Sequence, residues 1–203
     1  MALIEQEVYD DSIFLFTSDH GEELCDHHMF RKSRPYEGSC HIPMLITAGS
    51  HVLPDLQRGT VCHAVVELRD VMPTLLAAAG VPAPASVDGH SLLPLAQNPS
   101  GRVREWLHGE HSYGEFSNHW IVTETDKYIW HAQSGQEQYF DLQADPHECH
   151  DLIHSAAHQT RIATLRNHLI DALRDRPEGF TDGTKLIPGR PYEPILPSAT
   201  QAS

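Results

Sequence analysis

Positive charge is scarce in this chain. Fourteen Lys and Arg stand against 28 Asp and Glu, a formal net charge of −14 with His neutral. A protein that grips nucleic acid by its phosphates needs a basic face, so nucleic-acid partners are set aside. Long apolar runs are also missing. No stretch approaches the roughly 20 residues of a membrane-spanning helix, and no membrane partner is expected. Paired cysteines are missing as well: Cys25, Cys40, Cys62 and Cys149 make no CxxC and no disulfide-dense framework, which suits a reducing compartment. The opening Met1-Ala2-Leu3-Ile4-Glu5 has neither the basic start nor the apolar core of a signal peptide. A cytoplasmic location is therefore expected.

What remains is ample for a packed protein. The 203 residues are 40% hydrophobic, enough for one large or two small domains. Sixteen His are present, and their titration would reduce the negative charge below about pH 6.5. The most informative stretch is 12–39. It opens with Ile13-Phe14-Leu15-Phe16, an apolar run whose length and β-branched and aromatic content suit a buried strand. The run ends at Asp19-His20-Gly21, a carboxylate beside an imidazole where a strand passes into a loop. Ligands bind at the carboxyl ends of strands in open α/β sheets, and both side chains can ligate a divalent cation. A helix cap and a backbone-bonded imidazole would explain the tripeptide equally well. The following residues, Asp26, His27, His28, Arg31, Lys32 and Arg34, then Tyr36-Glu37-Gly38-Ser39, interleave carboxylates, imidazoles and cations. A metal beside a lysine ammonium suits a sulfate or phosphate oxyanion whose charge grows in a transition state.

These motifs resemble the second half of the active-site region of the sulfatase family, within the alkaline-phosphatase superfamily. The likeness continues through Asp70-Val71-Met72-Pro73-Thr74-Leu75-Leu76, Asp88-Gly89-His90-Ser91-Leu92, and Tyr139-Phe140-Asp141-Leu142 with Asp145-Pro146-His147-Glu148. The resemblance implies that Asp19 and His20 ligate one divalent metal and that Lys32 is the catalytic lysine that contacts the sulfate. It also implies that His27 approaches the site as a catalytic group. By family the metal is Ca²⁺. His20, where the family more often has Asn, admits Mn²⁺ or Zn²⁺ because imidazole favours transition metals. The formylglycine nucleophile expected in the family arises from a Cys or Ser opening a Cys/Ser-x-Pro-x-Arg signature, and this chain contains no such string. The first strand comes so early that the chain reads as a C-terminal portion. Either a missing N-terminal half or self-association is then expected, with apolar surface exposed.

The fold class expected is α/β. Residues 1–103 would form part of an alkaline-phosphatase-like mixed sheet flanked by helices. Residues 104–203 would form a small α+β subdomain with a four-stranded antiparallel sheet, a helix and an extended tail that frays from Pro197. A strand is expected over 42–47. A helix over 69–79 is read to bury Val71, Leu75, Leu76, Ala78 and Ala79 and to stop at Gly80. The segment 80–103, with Pro82, Pro84, Gly89, Pro94, Pro99 and Gly101, reads as a surface connection. Four β-like runs follow, at Trp106-Leu107-His108, Trp120-Ile121-Val122-Thr123, Lys127-Tyr128-Ile129-Trp130 and Gln138-Tyr139-Phe140-Asp141-Leu142. A helix over 155–175 carries Ile162, Leu165, Leu169, Ile170 and Leu173 on one side.

Glu110 and His111, in the cluster His108-Gly109-Glu110-His111, are the substrate-binding candidates. Glu37 is placed to orient Lys32 through a charge-assisted bond. Asp145-Pro146-His147-Glu148 has the chemistry of a turn and is assigned a structural role. The leading expectation is a segment of a sulfuric ester hydrolase acting on a small-molecule or saccharide sulfate ester, inactive by itself. Two alternatives stand beside it: a phosphonate or phosphate diester hydrolase of the same superfamily, and a non-catalytic anion-binding or interaction module.

Overall fold

The computed structural model describes residues 2–112 and 116–191. The expected fraying from Pro197 lies outside them. The chain divides into two compact units, Met1–Lys32 with Gly38–Leu107, and Ser33–Glu37 with His108–Ser203. No helix among the described residues is long and apolar enough to cross a membrane.

In the first unit a short helix α1 (Ala2–Glu5) precedes β1 (Ile13–Thr17), which pairs antiparallel with β2 (Met44–Ala48) from Ile13↔Ala48 to Thr17↔Met44. The second strand starts two residues later than the sequence suggests. Pro43, without an N–H, stays outside the ladder. The expectation that β1 is buried is corrected: Phe16 is 65% exposed and its register partner Leu45 57%. Among the described residues this sheet has two strands, and these two side chains have no covering layer there. A one-turn helix α2 (Glu37–Cys40) spans the passage between the units.

A 3₁₀ turn Leu68–Asp70 leads into α3 (Val71–Ala78), with reciprocal capping between Glu67 and Asp70. The buried face of α3 differs from the apolar stripe read from sequence. Pro73 and Thr74 are buried, whereas Leu75 is 43% exposed. The reason is polar. The Thr74 hydroxyl donates to Asp70 O at 2.6 Å and accepts from Leu92 N at 2.9 Å, which turns that side of the helix inward. The connection after α3 is not all loop: α4 (Leu93–Gln97) forms within it, with Pro94 in its first turn. Asp70 is fully buried and bound bidentately by Arg104, at 2.7 and 2.6 Å, while its Oδ1 also accepts from His90 N at 2.8 Å. Gly89, just before His90, is required because a Cβ there would lie 1.9 Å from Arg69 O.

In the second unit, β3 (Leu107–His111), β4 (Asn118–Val122), β5 (Asp126–His131) and β6 (Glu137–Asp141) form one sheet in that order. The β4–β5 and β5–β6 pairs are antiparallel, with His119↔Trp130 and Tyr128↔Tyr139 in register. Strand alternation then puts His119, Ile121, Tyr128 and Trp130 on one face, and Trp120, Lys127, Ile129 and Phe140 on the other. Helix α5 (Gln159–Ala172) covers the first face, burying Ile162, Leu165, Leu169 and Ile170, followed by Leu173. The stripe read from sequence is the one that packs, and each such side chain contributes roughly 1.5–3 kcal/mol. Phe180 completes this face, its ring 5.0 Å from His119 and 5.8 Å from Trp130. The opposite face receives the segment Ser33–Glu37: Tyr36 packs edge-on against Phe140 at 6.2 Å and donates to Gln138 Oε1 at 3.0 Å.

Candidate functional site

Asp19, His20 and Lys32 meet just beyond β1. His20 Nδ1 lies 2.7 Å from Gly21 O, so Nδ1 carries the proton and donates, leaving a lone pair on Nε2. That lone pair faces Lys32 Nζ at 2.7 Å and lies 3.7 Å from Asp19 Oδ2. His20 is about one-third exposed and Asp19 largely exposed.

The loop that returns Lys32 to His20 is tied at several points. Gly21 N donates to Ser39 O at 2.8 Å, and a Cβ at Gly21 would meet Gly38 O at 2.1 Å. Glu23 N donates to Arg31 O at 3.0 Å and Cys25 N to Met29 O at 2.9 Å. Glu23 is 1% exposed and accepts the Ser39 hydroxyl at 2.5 Å. Six non-glycine residues between Leu24 and Ser33 have left-handed backbone: Leu24, Cys25, His27, His28, Arg31 and Ser33. Such conformations cost of order 1–3 kcal/mol each and gather where a structure over-determines a functional loop.

A divalent cation fits the Asp19–His20 pair in part. The donors are 3.7 Å apart, within reach of one ion bonded to both at about 2.1 Å. The chemistry is one carboxylate oxygen and one imidazole lone pair, where Ca²⁺ takes 6–8 oxygens. The pair supplies one edge of a coordination shell, and its imidazole suits the transition metals better than Ca²⁺.

The remaining sequence candidates fall on other elements. His27 sits half-buried in the 3₁₀ turn Asp26–His28, on left-handed backbone. Glu110 and His111 both fall on β3 of the second unit, and strand alternation sends them to opposite faces. Glu110 is held by Arg176, at 2.9 and 3.1 Å. His111 Nδ1 is buried without a hydrogen-bond partner among the described residues. Burial, and then the Arg34 charge, lower the His111 pKa. Glu37 forms an ion pair with Lys127, at 2.6 Å. The turn at Asp145 is structural, with Asp145 Oδ2 accepting His150 N at 2.7 Å.

Sequence reasoning gave Lys127 and His119 no role of their own and read Glu148 only as part of a turn. Lys127 is fully buried, yet its ammonium pairs with Glu37 and Glu148 and donates to Pro35 O at 2.9 Å. Burial raises the Glu148 carboxyl against the pull of Lys127. His119 is fully buried between Trp130 and Phe180. Burial, reinforced by His108 and Arg176, pushes its pKa down to about 3. The available signal for Lys127 and His119 was an ionisable residue at the edge of an otherwise apolar β-like run.

Three comparisons place the chain. The family model for N-sulphoglucosamine sulphohydrolase, C-terminal, matches residues 25–175. An arylsulfatase of Clostridium perfringens is 48% identical over 195 residues, covering 96% of this chain and 40% of that protein. A solved protein in complex with its substrate D-glucosamine-2-N,6-O-disulfate shares the fold, with TM-score 0.76 and 24% identity over 85% of this chain and 36% of that one. The phosphonate monoester hydrolase of Agrobacterium radiobacter gives TM-score 0.71 at 25% identity, again over 85% of this chain and 37% of the other. The chain thus spans 40% or less of the length of each of these relatives. With its fold, its ordered motifs and this match over most of its length, the chain belongs to the sulfatase family and corresponds to its C-terminal portion.

Proposed function

We propose that the protein to which this chain belongs hydrolyses a sulfate ester, with a sulfated saccharide as substrate class. In this reading Asp19 and His20 hold one divalent cation and Lys32 neutralises the ester oxygen that departs. The observation that carries it is the meeting of carboxylate, imidazole lone pair and ammonium at the end of β1, with His20 Nε2 within 2.7 Å of Lys32 and 3.7 Å of Asp19. A bound divalent ion would supply Lewis-acid polarisation of the ester oxygens. The Gly21 carbonyl fixes the His20 tautomer so that Nε2 stays a lone-pair donor. Lys32, on a long exposed stem, can follow an anionic oxygen as charge develops on it. His27 offers a second imidazole on the same loop. The nucleophile is contributed outside these residues.

The complete gene product tests this. With an aryl sulfate as substrate, Lys32→Met should lower kcat/KM by about 10²–10³, the usual loss for one charge-stabilising donor. His20→Ala should additionally lower metal content. Unchanged kcat/KM in Lys32→Met would remove the proposal's basis. A phosphonate monoester hydrolase is the second reading, favoured by the Asp-His pair and by the structural likeness to such an enzyme. Aryl sulfate and aryl phosphonate monoesters competed on the same preparation separate the two, the sulfate reading requiring the larger kcat/KM for the sulfate.

A further inference from the structure

A second cluster of ligating side chains lies on the α5-covered face of the C-terminal sheet, apart from Asp19 and His20 in both sequence and unit. Alternation along β3 turns His108 and Glu110 to the face on which His119 of β4 also lies. The imidazoles of His108 and His119 stack, with ring centroids 5.4 Å apart and planes inclined by 13°. His108 Nε2 lies 3.2 Å from His119 Nδ1, and Glu110 Oε2 lies 3.4 Å from the same nitrogen. One ligand atom from each of the three side chains falls within 4.8 Å of the other two. We propose that His108, Glu110 and His119 form a binding site for a divalent transition-metal ion of the zinc class.

The distances argue for an ion. A tetrahedral centre with nitrogen and oxygen ligands at 2.0–2.1 Å separates adjacent ligand atoms by roughly 3.3–3.5 Å. Two of the cluster's three edges, 3.2 and 3.4 Å, lie close to that length. A hydrogen bond between the imidazoles accounts for only one of these contacts. His119 Nδ1 has one proton or one lone pair, so it cannot serve both His108 Nε2 and the carboxylate well. A cation between them serves all three.

The state of each ligand is suitable. His119 is fully buried and its Nε2 has no hydrogen-bond partner among the described residues. Its polar engagement is therefore at Nδ1, inside the cluster. Arg176 holds Glu110 and is itself held by Glu178 at 2.8 Å. Outer contacts of this kind orient ligating carboxylates, and Glu178 offsets the charge Arg176 brings. Two imidazoles and one carboxylate are a zinc donor set that leaves a fourth position open. Glu110, 36% exposed, connects the cluster to solvent, whereas His119 is fully buried.

Zinc titration of the 203-residue chain, with chelator competition, tests the site, and Co²⁺ substitution reports its geometry. The expected result is one zinc-class equivalent that survives in the double variant Asp19→Ala/His20→Ala. Co²⁺ should give the intense visible bands of a four-coordinate centre. His108→Ala and Glu110→Gln change partly exposed positions and should keep the wild-type far-UV circular dichroism. Each should weaken uptake by more than the roughly 10–100-fold that loss of an outer contact costs, and Arg176→Gln should fall within that range. The proposal is overturned if the wild-type chain takes up no zinc. It is equally overturned if His108→Ala and Glu110→Gln bind as tightly as wild type, or if uptake disappears in Asp19→Ala/His20→Ala.

Discussion

Lys127→Met should be among the most destabilising single substitutions in the second unit. Lys127 is buried near the start of β5, where its ammonium donates to Pro35 O at 2.9 Å and forms ion pairs with Glu37 Oε1 at 2.6 Å and Glu148 Oε1 at 2.8 Å. Methionine fills most of the same volume, so the loss is electrostatic and not a cavity. It leaves two carboxylates facing one another without a cation, one of them on the nearly inaccessible Glu148. Breaking a buried pair by removing one partner costs about 3–5 kcal/mol. In a protein of this size that corresponds to roughly 6–20 °C in Tm. Urea unfolding followed by tryptophan fluorescence measures it, the buried Trp120 and Trp130 reporting on the same sheet. The double variant Lys127→Met/Glu148→Gln should recover a large part of the loss, because the orphaned charge is removed as well. Glu148 Oε2 also accepts Glu37 N at 2.6 Å, so amide exchange at Glu37 should speed up in the single variant. A loss below about 1 kcal/mol, or a double variant no more stable than the single one, would refute the reasoning.

Asp70→Asn should cost up to about 3–5 kcal/mol, because it removes the bidentate partner of the buried Arg104 and leaves that guanidinium to the more distant Glu67 carboxylate at 3.3 Å. Burial by itself would raise the Asp70 carboxyl, but hydrogen bonds from Arg104, His90 and Glu67 outweigh it and hold the pKa below the ordinary carboxylate range. That stabilisation is complete above the unfolded value of about 3.9 and is lost as pH falls through the lower folded value. Acid unfolding below about pH 4 should accordingly be steeper in the wild type than in Asp70→Asn. Gly89→Ala sets a methyl group 1.9 Å from Arg69 O and should lower stability by about 1–3 kcal/mol, read as a drop in Tm with the fold retained.

The second unit was the more legible half. The stripe of α5 repeats at helical spacing, and the four β-like runs alternate or stay apolar, so local sequence decided them. Their edges moved by up to three residues, most consequentially at β4, which begins at Asn118 and so brings His119 into the sheet. Period-two alternation was also enough to separate Glu110 from His111, once β3 was known to run through both. The first unit was harder because its burial depends on remote partners. Leu75 and Phe16 look like core residues locally, but what covers an apolar side chain is a tertiary fact. Thr74 goes inward because Leu92 N, 18 residues away, needs an acceptor. Lys127 is in the same position, since its acceptors lie on Pro35, Glu37 and Glu148. Asp19, His20 and Lys32 came from motif resemblance. Composition and periodicity could not have joined a lysine to a histidine 12 residues earlier through a loop with no regular period.

On the proposed function, that loop would place two cations in competition for one lone pair. His20 Nδ1 is committed to the Gly21 carbonyl, so Nε2 is the nitrogen that can ligate, and Lys32 already occupies it at 2.7 Å. A divalent ion shared by Asp19 and His20 requires the same electrons, so the ammonium must withdraw when the ion enters. An exposed stem on a strained, tied loop allows this at little cost in packing. The withdrawn ammonium then has the role assigned to it, facing a substrate oxygen. If this is right, Lys32→Met should bind a divalent cation at the Asp19–His20 pair more tightly than wild type. A hydrogen bond from a charged donor contributes about 1.5–3 kcal/mol, and exposure reduces that toward about 1 kcal/mol here, or roughly a fivefold tighter Kd. Mn²⁺ titration in a Glu110→Gln background, which disables the second cluster, isolates the effect. An affinity in Lys32→Met equal to or below that of its Glu110→Gln parent would show that lysine and metal do not share His20. Activity and affinity should then move in opposite directions in one variant, with turnover falling while metal binding rises, a combination that simple unfolding of the loop could not produce.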